Sequence, residues 1–171
     1  NGKVVSSKVE MGVPNFVASK IPISVPDIND SDSPKFDVEI LGHNLVITCL
    51  SIGNPHAVCI MESKVEEFPL VEVGKIVEKH KFFPNRINFE IVNVISRSKI
   101  RARIFERGAG ETLSSGTGST ASASACRYNG LVDDRVEVIL DGGNLNISWD
   151  ENEMAILEGP SVEVFQGVWP D

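Results

Sequence analysis

Gly116-Thr117-Gly118-Ser119-Thr120-Ala121-Ser122-Ala123-Ser124-Ala125-Cys126-Arg127-Tyr128 is the stretch on which the reading of this chain turns. It opens with small residues and closes on Asn129-Gly130, a pair that tolerates the left-handed conformation in which helices end. A surface helix carries a broad stripe of large apolar residues on one face and charges on the other. This one has neither: Ser119 to Ala125 are all small, so neighbouring backbone can approach from every side. Such a helix suits enclosure by a curled sheet better than a place on a surface.

Most of the remaining chain reads as strands. Residues 3–11 alternate through Val5, Ser7, Val9 and Met11, and runs 36–41 and 45–52 flank Gly42-His43-Asn44, which reads as a hairpin turn. Runs 57–61, 87–96, 100–105, 136–140, 145–149, 154–157 and 162–168 continue the pattern, with Asp141-Gly142-Gly143 and 150–153 as turns. Residues 22–34, rich in Pro, Asp and Ser, read as a surface loop. A second helix is expected over 69–79, where Leu70, Val73, Ile76 and Val77 share one face and Pro69 occupies the first turn. The fold class is therefore α+β, a mixed or antiparallel curled sheet around a central helix.

The 171 residues suffice for one domain with a real core, at 42% hydrophobic and 23% charged. No apolar run reaches bilayer length, and Asn1-Gly2-Lys3 leads into alternating positions rather than a signal core. A net charge of −8 with sixteen scattered Lys and Arg argues against nucleic acid. Three cysteines, Cys49, Cys59 and Cys126, fit no zinc or redox spacing, and Cys49 and Cys59 sit in apolar runs as small buried hydrophobes would. A reduced, cytoplasmic protein is the expectation.

The chemistry is expected just upstream of the small-residue helix, in Glu106-Arg107-Gly108-Ala109-Gly110-Glu111-Thr112-Leu113-Ser114-Ser115-Gly116-Thr117-Gly118. A helix start presents unpaired N–H groups and the positive end of the dipole, and small residues let an anion approach them. A carboxylate or phosphate is the expected guest. Gly116-Thr117-Gly118-Ser119-Thr120-Ala121 formally fits a dinucleotide fingerprint, but the preceding loop is long and the surroundings are not βαβ. No Lys follows as a P-loop requires, and Thr112 and Leu113 stand where a nucleophile elbow needs Gly. Ser51-Ile52-Gly53-Asn54-Pro55-His56 is a second constellation, polar between two apolar runs, which a plain turn with Asn54 capping its own backbone also explains. Asn88, in Asn85-Arg86-Ile87-Asn88-Phe89, is a third, with a plain strand residue as the alternative.

In this order the segments Gly53-Asn54-Pro55-His56, Arg86-Ile87-Asn88, Glu106-Arg107-Gly108-Ala109-Gly110-Glu111-Thr112 and Gly116-Thr117-Gly118 resemble the C-terminal half of the diaminopimelate epimerase family. Val9-Glu10-Met11-Gly12-Val13-Pro14 and the ending Gly159-Pro160-Ser161-Val162-Glu163-Val164-Phe165-Gln166-Gly167 extend the likeness over nearly the whole chain. The resemblance implies that 1–171 is one C-terminal domain of a two-domain enzyme, with the N-terminal half missing and 159–171 packing back toward it. It implies two similar rolls, each a sheet around a helix, with the site between them. It further implies interconversion of LL- and meso-diaminopimelate in lysine and peptidoglycan precursor biosynthesis, without pyridoxal phosphate, metal or other cofactor. Two cysteines would face opposite sides of the α-carbon.

Carried over residue by residue, Asn54, Asn88, Glu106, Arg107, Gly116 and Thr117 fall at substrate-contacting positions, and His56 and Glu106 at positions that serve catalysis. Ser115 stands where the family places its C-terminal catalytic cysteine. An alcohol is a far weaker acid than a thiol, so this chain is expected to be inactive by itself. The partners implied are diaminopimelate, the N-terminal domain and a second copy in a homodimer; the compartment is the cytoplasm, or the plastid stroma in a plant. A same-fold isomerase or dehydratase that uses no thiol, and a non-catalytic amino-acid-binding module, are the alternatives.

Overall fold

The alternating runs and turn glycines build ten strands and two helices in the computed structural model, which describes residues 3–26, 28 and 34–170. The strands are β1 (Ser6–Gly12), β2 (Lys35–Ile40), β3 (His43–Ser51), β4 (Pro55–Ile60), β5 (Asn88–Ser96), β6 (Lys99–Glu106), β7 (Gly110–Thr112), β8 (Arg135–Leu140), β9 (Gly143–Trp149) and β10 (Ala155–Pro160). Helix α1 (Leu70–Val77) joins β4 to β5, and α2 (Gly116–Tyr128) joins β7 to β8. One sheet holds them in the order β1-β10-β9-β8-β6-β5-β4-β3-β2, with β7 paired to β6 off this path. β4–β5 and β6–β8 are the parallel pairs, each bridged by a helix; the other neighbours run antiparallel.

Side-chain alternation assigns the sheet two apolar faces. Phe89, Ile91 and Phe105 pack with Leu70, Val73 and Val77 of α1. Val58, Val92, Ile100, Ala102 and Ile104 pack with Ala121, Ala123 and Ala125 of α2. Helix α2 touches β3, β4, β5, β6, β8, β9 and β10, so the sheet curls around it. Its residues Gly118 to Cys126 are all buried. Two of its buried hydroxyls are satisfied along the helix, Ser119 Oγ donating to the Ser115 carbonyl at 2.6 Å and Thr120 Oγ1 to the Gly116 carbonyl at 2.9 Å. No helix among the described residues is long and apolar enough to cross a membrane.

Several local readings need correction. The turn of the β2–β3 hairpin is Leu41-Gly42, both at positive φ (51° and 77°), the two-residue geometry that matches strand twist, and His43 and Asn44 already belong to β3. Pro55 and His56 lie inside β4 and are buried, not in a turn. Gly110-Glu111-Thr112, read as loop, pairs with the end of β6. Residues 162–168 form no strand despite their alternation: Val162, Val164, Phe165 and Val168 are exposed, and alternation alone supplies no hydrogen-bonding neighbour. Residues 3–5 precede β1 without strand pairing, and the loop expected over 22–34 lies partly outside the described residues.

Candidate active site

The site is built where β4 and β5 begin and β6 ends, against the start of α2. Ser115 caps that helix in an extended conformation (φ −148°, ψ 127°), its Oγ accepting from the Gly118 N–H at 3.2 Å. A Cβ on Gly118 would lie 2.9 Å from Ile104 Cδ1, so glycine allows β6 to press against the first turn. The preceding loop is pinned at both ends. The Thr112 hydroxyl donates to Glu106 Oε1 at 2.6 Å, and the Leu113 carbonyl accepts from the Gly142 N–H at 2.7 Å. Gly116 is left exposed and Ser115 and Thr117 half-buried, so the mouth of the helix is open surface.

Three of the singled-out segments meet here. Asn54 Nδ2 donates to Thr117 Oγ1 at 3.4 Å, and Asn54 Oδ1 lies 3.0 Å from His56 Nε2. Parallel pairing sets His56 beside Asn88. Asn88 works as a clip: its Nδ2 donates to the Pro55 carbonyl at 2.9 Å and its Oδ1 accepts from the Arg107 N–H at 2.9 Å. The Arg107 side chain is tied to the Asn85 carbonyl at 2.8 Å and remains exposed. Glu106 faces the α2 side, in step with Ile104 and Ala102 along β6.

Two acidic residues of this region escaped the sequence reading. Glu90 is 0% exposed, on the α2 face of β5, with Oε1 2.7 Å from His56 Nδ1. Burial raises its pKa, His56 opposes that by charge and hydrogen bond, and the charge of Glu106 adds to the rise. Glu78, at the end of α1, is also buried; it accepts from the Gly108 N–H at 2.9 Å and from Arg86 Nη1 at 3.4 Å, holding the Arg107-Gly108 turn. A lone acid inside an apolar run was the available signal for Glu90.

The cysteines are remote. Cys49 and Cys59 face the α1 side, and Cys126 lies roughly 15 Å along the α2 axis from Ser115. Burial raises all three thiols, Cys59 to about 11 and Cys126 to about 12, so none is a thiolate near neutral pH. A cavity of about 620 Å³ lined by Lys35, Thr48, Asn93 and Asn129 opens at the other end of α2 and includes none of the site residues. Among the described residues no group of three or more His, Cys, Asp or Glu is arranged to hold a metal ion.

The open start of α2 thus carries one side-chain contact from another segment, the Asn54 amide on Thr117, in a sheet rolled around that helix. The family model described as diaminopimelate epimerase matches residues 48–164. The diaminopimelate epimerase of Magnetococcus marinus is 45% identical over 161 residues, covering 93% of this chain and 55% of that protein. That of Desulfovibrio desulfuricans is 42% identical over 170 residues, covering 97% of this chain and 59% of that protein. The chain belongs to the diaminopimelate epimerase family. It spans between 55% and 59% of the length of these two relatives. A probable proline racemase from Agrobacterium radiobacter K84, solved with bound carbonate, shares the fold: TM-score 0.61 at 13% identity over 96% of this chain and 55% of that one.

Proposed function

We propose that this chain supplies one wall of an active site that interconverts LL- and meso-2,6-diaminopimelate by two-base proton transfer, in lysine and peptidoglycan precursor biosynthesis. The observation that carries the reading is that Asn54 reaches Thr117 at the start of α2 in a chain whose relatives, over nearly its whole length, are named diaminopimelate epimerases. The amides of Gly116 and Thr117, with the helix dipole, take the α-carboxylate. Arg107, Glu106, Asn54 and Asn88 frame the distal amino-acid group, by charge and amide hydrogen bonds. Ser115 occupies the position of one base, and the second comes from an N-terminal domain on the opposite face of the α-carbon. Gly159 and Pro160 end β10, and beyond them the exposed apolar side chains Val162, Val164, Phe165 and Trp169 support a tail that packs back onto that domain. The reading places the enzyme in the cytoplasm or plastid stroma and admits a homodimer.

Backbone amide NMR of the intact enzyme with meso-diaminopimelate tests this. The largest shifts are expected at Gly116, Thr117 and Gly118, and Arg107→Ala is expected to weaken binding about tenfold or more by removing a charged donor. Shifts clustered at Asn129 and Lys35 instead would sink the assignment.

A further inference from the structure

We propose that Glu90 is a positioning residue that sets the direction of hydrogen bonding along His56, Asn54 and Thr117, and so points the Thr117 hydroxyl proton outward at the mouth of α2. The starting point is an acid in a place that disfavours one. Glu90 and His56 are each 0% exposed, Glu90 sits between the fully buried Phe89 and Ile91, and its Oε2 accepts no hydrogen bond among the described residues. A leucine would fill that space without the desolvation penalty of a carboxyl group. What the acid supplies is one contact, Oε1 to His56 Nδ1 at 2.7 Å.

That contact fixes everything beyond it. A site shut off from water favours the pair with net charge zero over the pair with charge −1. Net zero means two protons shared over Glu90, Nδ1 and Nε2. One lies between Oε1 and Nδ1, whichever atom owns it; the buried Oε2 has no acceptor for a proton of its own among the described residues, so the other is on Nε2. Nε2–H then donates to Asn54 Oδ1 at 3.0 Å, which leaves Asn54 Nδ2 to donate to Thr117 Oγ1 at 3.4 Å. Thr117 Oγ1 therefore serves as an acceptor on its inner side, and its own proton is free to donate outward to an anion. With one proton fewer the chain of bonds would reverse: Asn54 Nδ2 would donate to Nε2, and Thr117 would donate inward to Oδ1, presenting only lone pairs to the anion. Both ring nitrogens of His56 are used, so His56 also acts through Asn54.

The inference deepens the proposed function, since the anion at Thr117 is taken there to be the carboxylate of the substrate. Its test separates the two. In the chain without ligand, ¹⁵N–¹H correlation of the His56 ring is expected to show a protonated Nε2 and a far-downfield proton shared with Glu90. An unprotonated Nε2 overturns the proposal whether or not any variant folds. Glu90→Gln can still donate its amide N–H to Nδ1 and keep Nε2–H directed at Asn54, so it is expected to preserve the Asn54 side-chain resonances. Glu90→Leu cannot, and those resonances are expected to move or broaden. In the intact enzyme the dissociation constant for meso-diaminopimelate should rise about tenfold in Glu90→Leu and stay near the starting value in Glu90→Gln. Equal losses in both variants, or no loss in Glu90→Leu, would overturn the role of Glu90. Intact His56 and Asn54 signatures in an enzyme that does not bind diaminopimelate would instead sink the substrate assignment and leave the relay standing.

Discussion

Each parallel pair of strands in this sheet is bridged by one helix, and the two helices are buried in opposite ways. Helix α1 lays Leu70, Val73 and Val77 on large partners, Phe68, Phe83, Phe89 and Phe105, and leaves Glu72, Lys75 and Ile76 outside. Helix α2 has no outside between Gly118 and Cys126; strands from both halves of the sheet close on its alanines and serines. Large side chains hold a helix off a sheet and let it lie on one face, whereas small ones let the sheet wrap. Wrapping also decides where chemistry can happen. An enclosed helix reaches solvent only at its ends, so the unpaired amides of its first turn become the accessible polar feature, and Asn54 reaches Thr117 there.

Added volume separates the two helices most sharply. Ala121→Leu adds bulk where strands already touch the helix and is expected to cost about 1–3 kcal/mol. Lys75→Leu, the same side chain on the outer face of α1, is expected to stay within about 0.5 kcal/mol. Denaturant midpoints check both, and an unmoved midpoint for Ala121→Leu would mean that α2 is not enclosed. A subtler contrast lies in pH. Folded, burial keeps a second proton on the Glu90–His56 pair. Unfolded, a glutamate near about 4.3 and an imidazole near about 6.5 leave two protons on the pair below the first value, one between them and none above, less the sharing lost on unfolding. Parent stability therefore falls as pH rises beyond about 6.5. Glu90→Gln has no carboxyl to share a proton and is expected to gain on the parent steadily from about pH 5 to about pH 8 in thermal melts; a parallel offset at every pH would contradict it. The smallest effect is at Ser122, whose buried Oγ has no partner among the described residues. Ser122→Ala is expected to stabilise by about 0.5–1 kcal/mol, from helix propensity and relief of a buried hydroxyl, as urea titration would show.

The two helices also differ in how legible they are. Helix α2 was readable to the residue, because a glycine-rich opening and Asn129-Gly130 bound a run that no other element tolerates. For α1 the apolar spacing gave the face, but its ends came out longer than Leu70–Val77, since charged residues near a helix end fit turn and helix alike. The loop before α2 and the Asn54 and Asn88 segments stood out by composition. Glu90 did not: within 87–96 it looks like an outward position, and only the non-local pairing of β4 with β5 buries it against His56. The 51–56 segment admits a plain turn as an alternative for the same reason: nothing local says that Pro55 starts a strand. The missing strand over 162–168 is the converse case, a correct period with no neighbour to pair.

The reaction centre proposed at the start of α2, with Ser115 at the position of a base, is tested by exchange of the diaminopimelate α-proton with deuterated water, followed by NMR in the intact enzyme with Ser115 and with Ser115→Cys. A helix start can lower a thiol into a working thiolate and cannot do so for an alcohol. Negligible exchange is expected from the isolated chain, slow exchange from the intact serine form, and a rise of orders of magnitude in Ser115→Cys. A serine form as fast as the cysteine form would overturn the role of position 115 and turn the chemistry toward an isomerase or dehydratase that needs no thiol.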